Sequence, residues 1–355
     1  MEAIIKKNMK RLNFIVIIIL FITAACSNDE PLIDNSITDV SFIIQRKINT
    51  LEVLNFRGNP TLTDIELGID IGKIDLMKKF REKYYLINKS LRSVFVLEDI
   101  DNPIITTINF INPADSNLVI KDICFPNATD CYVIFDNASI VRIIDLTTNQ
   151  LTNVEIELPD VASSIAGIGN QVYVTIPNRN LVIVIDTRIN SIVSQITISN
   201  RPTFVDFSHN GRHAIVISVG EGKSAPPYNN TTSAMISTID LGTKNVLRNN
   251  ILTNSAETAS KLIPNAMIVF DRFIYISAEN IDGGAGGYRI STTNYSTTNA
   301  IVRTPCDYVV KNWNNLLFIV KNASQEINCL LFAAGNNRNI KELNIGFEFY
   351  SACEK

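Results

Sequence analysis

Histidine is almost missing from this chain of 355 residues, which carries only His209 and His213. Histidine is the usual general acid or base near neutral pH, and both copies fall in or beside one short polar stretch, residues 208–213, where a structural or solvated role is expected. A serine nucleophile would need a base that the sequence does not offer, and no Gly-x-Ser-x-Gly elbow is present. No catalytic residue is assigned, and the expected class is a binding protein rather than an enzyme. A metal site would need cysteines or histidines paired at ligand spacing. No such pair occurs, so neither a metal nor a cofactor is expected.

Charge is also sparse, at 19% of residues, and no basic run or basic–aromatic interleaving occurs beyond residue 25. The formal net charge is −3; residues 1–25 contribute +3 through Lys6, Lys7, Lys10 and Arg11 against Glu2, which leaves −6 on the rest. A mildly acidic surface repels a phosphate backbone, so nucleic acid is not an expected partner. Amphipathic helical stretches are lacking too, the nearest approach being residues 74–83.

What the sequence does have begins at its N-terminus. A basic segment precedes the apolar run of residues 14–22 and then Thr23-Ala24-Ala25-Cys26. The run is too short to span a bilayer and reads as the apolar region of a signal peptide. The small residues before Cys26 resemble a bacterial lipobox, in which the cysteine is diacylated and becomes the first residue, although Thr23 stands where leucine is usual. That resemblance implies a signal peptide over residues 1–25, an anchor in the lipid bilayer through acylated Cys26, and a polar tether over residues 26–40. Ser27-Asn28-Asp29-Glu30 resembles the short acidic export signal of Bacteroidetes surface lipoproteins. It implies the outer membrane and the cell surface, with the periplasmic face as the alternative. Met9 precedes a basic segment of its own and is an alternative start.

From residue 41 onward the chain is a series of short Ile/Val/Tyr-rich runs separated by Asn, Gly, Pro and Asp, which predicts strands and turns. An apolar pair recurs at Phe42, Tyr85, Tyr132, Tyr173, Ile215, Tyr275 and Phe318, with gaps of 43, 47, 41, 42, 60 and 43 residues. A polar residue follows 13 positions after the anchor at Asn55, Glu98, Asp145 and Asp186. The matching Asp240 comes 25 after its anchor, so about 12 residues are inserted over residues 220–233. Four short strands in a period near 42 residues predict an all-β, seven-bladed β-propeller over residues 41–355. The aspartates are expected to cap the turn between the third and fourth strands.

Val172-Tyr-Val-Thr175, Val182-Ile-Val-Ile-Asp-Thr187 and Asn190-Ser-Ile-Val193, continued by Arg201-Pro202 and Phe207-Ser-His-Asn-Gly-Arg212, resemble the YVTN-type propeller repeat. The match is good over the third to fifth units. Some such propeller lipoproteins accompany outer-membrane transporters and capture nutrients, so the resemblance implies an unknown small ligand or an outer-membrane protein as partner. A propeller enzyme and a structural subunit of an envelope complex are the alternatives.

The first unit lacks an innermost strand before Phe42, and residues 346–351 form a last apolar alternation without a partner. Those residues are expected to close the ring by pairing into blade one, which leaves no open edge. Cys124 and Cys131 end one strand and begin the next, so a disulfide is expected between them, with Cys306, Cys329 and Cys353 unassigned. Residues 282–287, Asp-Gly-Gly-Ala-Gly-Gly, have no Lys-Ser/Thr after them and read as a hairpin loop rather than a phosphate loop. Tyr308 and Trp313 are expected in the innermost strand of the seventh unit. Surplus chain falls on the face of the B–C and D–A loops near blades four to six. The expected binding residues there are Lys223, Pro226, Pro227 and Tyr228 of the insertion, with Glu279, Asp282, Tyr288 and Arg289 beside it.

Overall fold

The computed structural model describes residues 40–110, 117–199, 201–220, 233–252, 262–280, 285–293, 295, 300–312, 315–321, 324–333 and 339–355. Cys26 and the expected signal peptide and tether lie outside the described residues, as do Lys223, Pro226, Pro227, Tyr228, Asp282 and Trp313. One compact unit runs Asp39–Lys355.

Seven antiparallel sheets follow one another along this unit as the blades of a β-propeller; six have four strands, and blade 6 has three among the described residues. Blade 4 shows the plan, with strand A at Ile165–Ile168, B at Gln171–Ile176, C at Leu181–Asp186 and D at Ser191–Thr197. Strands B and C are buried along nearly their whole length, whereas strand D alternates between exposed and covered residues. The reason is the packing of each blade between two others. A sheet covered on both faces needs a continuous apolar run such as Val182-Ile-Val-Ile185, and β-branched residues fit it.

The anchor side chains fill the spaces between blades. Tyr85 packs against Val133 and Phe135 of blade 3, Tyr132 against Val172 and Val174 of blade 4, and Tyr173 against Val205 and Val216 of blade 5. Ile215 and Tyr275 continue the series toward blades 6 and 7. The two remaining anchors are out of phase. Phe318 faces back toward Tyr275 of blade 6, and in blade 1 it is Ile43, the neighbour of Phe42, that faces blade 2. A slip of one residue moves a strand side chain to the opposite face, so at these two blades the apolar spacing tracked the wrong side of the sheet.

The ring closes as expected, a few residues further along the chain. Strand A of blade 1 is Ser351–Glu354, in register from Phe42↔Glu354 to Gln45↔Ser351. Gly346 instead ends strand D of blade 7 (Asn339–Gly346), and Phe347 stands 68% exposed in the link. Residues 74–83 form no helix. They give strand A of blade 2 (Leu76–Phe80) and a tight turn in which Arg81 has φ 56°, because pairing with Lys83–Asn88 outweighs any local helical preference.

The capping expectation holds. Asp145 accepts the backbone N–H of Thr147, Asp186 that of Arg188, Asp240 those of Gly242 and Thr243, and Asn55 that of Arg57. The disulfide expectation does not. Strand register sets Cys124 opposite Tyr132, so Cys131 points to the other face; Cys124 packs between blades 3 and 4, Cys131 between blades 2 and 3, and both are free thiols.

Candidate functional site

The innermost strand of a propeller blade has one edge with no neighbour, so the seven A strands surround a central channel. Here they are Ser351–Glu354, Leu76–Phe80, Ile120–Cys124, Ile165–Ile168, Pro202–Phe207, Leu262–Phe270 and Cys306–Asn312. The channel has a volume of about 930 Å³, in the range of sites that enclose a small molecule.

Its polar side chains are concentrated on one side. Lys78 on blade 2 donates to Asp122 Oδ1 and to the Ile123 carbonyl on blade 3, both at 2.5 Å. Burial lowers the Lys78 pKa, but the charge of Asp122 and its hydrogen bond outweigh that and leave it raised. Asp122 also accepts from Ile165 N at 3.4 Å, which ties blade 3 to blade 4. Toward the B–C loop face, Lys89 and Lys121 share Asp136 at 2.7 and 3.3 Å. Tyr308 on blade 7 donates to the Ala352 carbonyl of blade 1 at 3.1 Å, and burial pushes its hydroxyl pKa up. Near the opposite end, Glu354 is flanked by Lys79 and Lys311; burial raises its pKa against the pull of the two lysines.

A smaller cavity of about 360 Å³ lies on the face of the A–B and C–D turns, between blades 4 and 5. It is lined by Gln171, Asp186 and Arg188 among others. Beside it Lys244 donates to Gln171 Oε1 at 2.5 Å and to the Tyr173 hydroxyl at 2.9 Å, and burial lowers its pKa. His209 is exposed in the adjoining turn, and His213 pairs with Asp240 across strands B and C of blade 5.

Of the binding residues expected from sequence, those described do not form a loop site. Glu279 lies in strand B of blade 6, and Tyr288 and Arg289 lie in strand C. Tyr288 is 4% exposed in the core between blades 5 and 6, and Arg289 turns to the other face, its guanidinium 4.4 Å from the centre of the Phe273 ring. The glycine run is likewise only partly a loop, since Ala285, Gly286 and Gly287 already belong to strand C. A Cβ on Gly286 would lie 2.2 Å from the Val302 carbonyl oxygen, so the glycine is required by the backbone passing over it.

The channel residues Lys78, Lys79, Asp122, Lys311 and Glu354 were not singled out from sequence. Their signal was present in the A strands, where Met77-Lys-Lys-Phe80 and Ile120-Lys-Asp-Ile123 place charge inside otherwise apolar runs. Only the ring shows that these positions share one space.

A seven-bladed β-propeller around a charged channel is therefore the class that fold and site define. No protein-family profile and no curated protein matches the sequence. Solved structures do match in fold. Hydrazine synthase of Kuenenia stuttgartiensis superposes with a TM-score of 0.53 at 15% identity, over 73% of this chain and 76% of that one. Dihydro-heme d1 dehydrogenase NirN in complex with DHE superposes with a TM-score of 0.57 at 11% identity, over 89% of this chain and 65% of that one. At such identities the likeness extends to the fold alone.

Proposed function

We propose that this protein is a lipid-anchored binding protein of the bacterial envelope, displayed at the outer membrane through acylated Cys26. It holds a small ligand or an outer-membrane protein partner on the face of the B–C loops and D–A links. The observation that carries this reading is the placement of the chain ends on the ring. Ser41 begins a B strand and Lys355 directly follows an A strand, and Lys355 N donates to the Ser41 carbonyl at 3.1 Å. Both therefore lie on the face of the A–B and C–D turns, opposite the face of the B–C loops and D–A links. The loops of a rigid scaffold are the usual seat of recognition. A propeller enzyme is the second reading, since the same fold is found in enzymes.

Two apolar residues of similar exposure compare the faces directly: Leu91 in the B–C loop of blade 2, 49% exposed, and Ile189 in the C–D turn of blade 4, 64% exposed. A photo-crosslinking side chain placed at each in living cells is expected to give defined adducts from position 91 and none from position 189. Adducts from position 189 alone would overturn the reading. Mass spectrometry of the same protein is expected to find acylated Cys26 at its N-terminus, and an unacylated product beginning elsewhere would remove the anchor.

A further inference from the structure

We propose that the central channel binds small amphipathic anions, organic acids with an apolar body and one anionic group, and that Lys79 and Lys311 receive the anionic end. This rests on the reading of the protein as a binding protein and names the chemistry of its channel.

The channel wall is divided. Blades 4 to 6 contribute Ile165, Ala166, Phe204, Met267 and Ile268, with the uncharged polar Ser163, Ser164 and Asn265 among them. Asp206 is the one charged lining residue there among the described residues, and its oxygens are occupied by backbone, Oδ1 by Phe207 N at 2.8 Å and Oδ2 by Val269 N at 3.0 Å. That side offers a ligand a mainly apolar surface. Blades 7, 1, 2 and 3 contribute five lysines, at 78, 79, 89, 121 and 311, against the carboxylates of Asp75, Asp122 and Glu354. The second side therefore carries a positive excess.

The lysines are not equivalent. Lys78 is committed to Asp122 and the Ile123 carbonyl, and Lys89 and Lys121 to Asp136. Lys79 and Lys311 have no carboxylate within ion-pair distance among the described residues. They stand on blades 2 and 7, on either side of Glu354 on blade 1, and register puts all three at one level, opposite Tyr84, Leu316 and Phe42, each the second residue of its B strand. Glu354 is partly buried, and its carboxylate accepts no hydrogen bond from the described residues. Lys311 is exposed and Lys79 half-buried, and two cations around one carboxylate leave a net positive charge at this end of the channel.

An amine would be repelled from this end, and an alcohol would leave the lysines without a counter-charge. Inorganic phosphate could use the lysines but would leave the apolar wall wet. An anion with an apolar body uses both sides, and charge-assisted contacts supply the discrimination.

The test uses purified full-length protein in detergent and a matched set of probes, naphthylacetate, naphthylethanol, naphthylethylamine and inorganic phosphate, measured by calorimetric titration. Naphthylacetate is expected to bind at least about ten-fold more tightly than any other member, the worth of one charge-assisted contact. Lys79→Gln and Lys311→Gln are each expected to weaken it by about ten-fold, whereas Glu354→Gln should strengthen it. A merely structural role for these residues would not reverse sign in this way. Equal affinity for the alcohol, the amine or phosphate, wild-type affinity in both lysine variants at unchanged melting temperature, or no binding of any probe would each overturn the proposal. Crosslinking from position 91 reads the loop face independently, so loss of channel chemistry and loss of the binding-protein reading are separable.

Discussion

The turns of blades 3, 4 and 5 are held by bonds that span two or three residues, whereas the seam between blades 7 and 1 is held by bonds that cross almost the whole chain. In the first region Asp145, Asp186 and Asp240 each cap a turn two or three residues ahead. At the seam Arg46 donates to the Ile345 carbonyl at 2.6 Å across 299 residues, and Asn312 to the Ser41 carbonyl at 2.6 Å across 271. Lys341 donates to the Gly58 carbonyl at 2.6 Å. The local bonds recur because each blade must make its own turn. The seam bonds occur once, because a ring has one place where its ends meet. A repeat thus specifies the blade, and sequence outside the repeat specifies closure.

The largest effect that separates the two regions is expected from ending the chain before Phe347. This removes Ser351–Glu354 and bares the edge of Ser41–Lys47, so the protein should lose its cooperative thermal transition or aggregate. An unchanged melting temperature would mean that the seam contributes nothing. The next effect is expected at Arg46, which holds Glu52 through Nε at 2.7 Å and Nη2 at 2.5 Å, the glutamate side chain being 1% exposed. Arg46→Met should cost about 3 kcal/mol in chemical denaturation, since it strands a buried charge, and adding Glu52→Leu should recover much of that.

The smallest effect is expected in the locally held blades. The side chain and backbone N–H of Arg188 hold the Asp186 carboxyl down to about 2, below its unfolded value of about 4. A depressed carboxylate stabilises the fold above its unfolded pKa and loses that contribution as the pH falls through its folded pKa. Asp186→Asn should therefore lower the melting temperature slightly at neutral pH, with the difference closing between about pH 4 and about pH 2. A gap that persists in acid would assign the effect to packing rather than charge.

The sequence carried the blade count, the strand content and the capping aspartates, because these depend on contacts within about a dozen residues. It misplaced what depends on which face a side chain takes. Phe42 and Phe318 fit the spacing yet face the other way, and Cys124 and Cys131 sit near one turn yet point apart. Tyr288 was expected among the binding residues beside the insertion, but its side chain is buried between blades 5 and 6, and Gly286 and Gly287 before it are strand residues beneath Val302. The channel was the least legible part. Lys79, Lys311 and Glu354 are distant in sequence and become neighbours only when the ring closes.

Closure is the claim on which channel, seam and chain-end placement all depend, and it can be read as a covalent link. Ile44 and Ala352 face each other across the seam, and opposed antiparallel residues lie within disulfide reach. The double variant Ile44→Cys/Ala352→Cys, oxidised under native conditions and digested, is expected to yield one disulfide-linked peptide pair joining positions 44 and 352. Thiols at both positions that stay free, or pair elsewhere, would contradict a ring closed by the C-terminal strand.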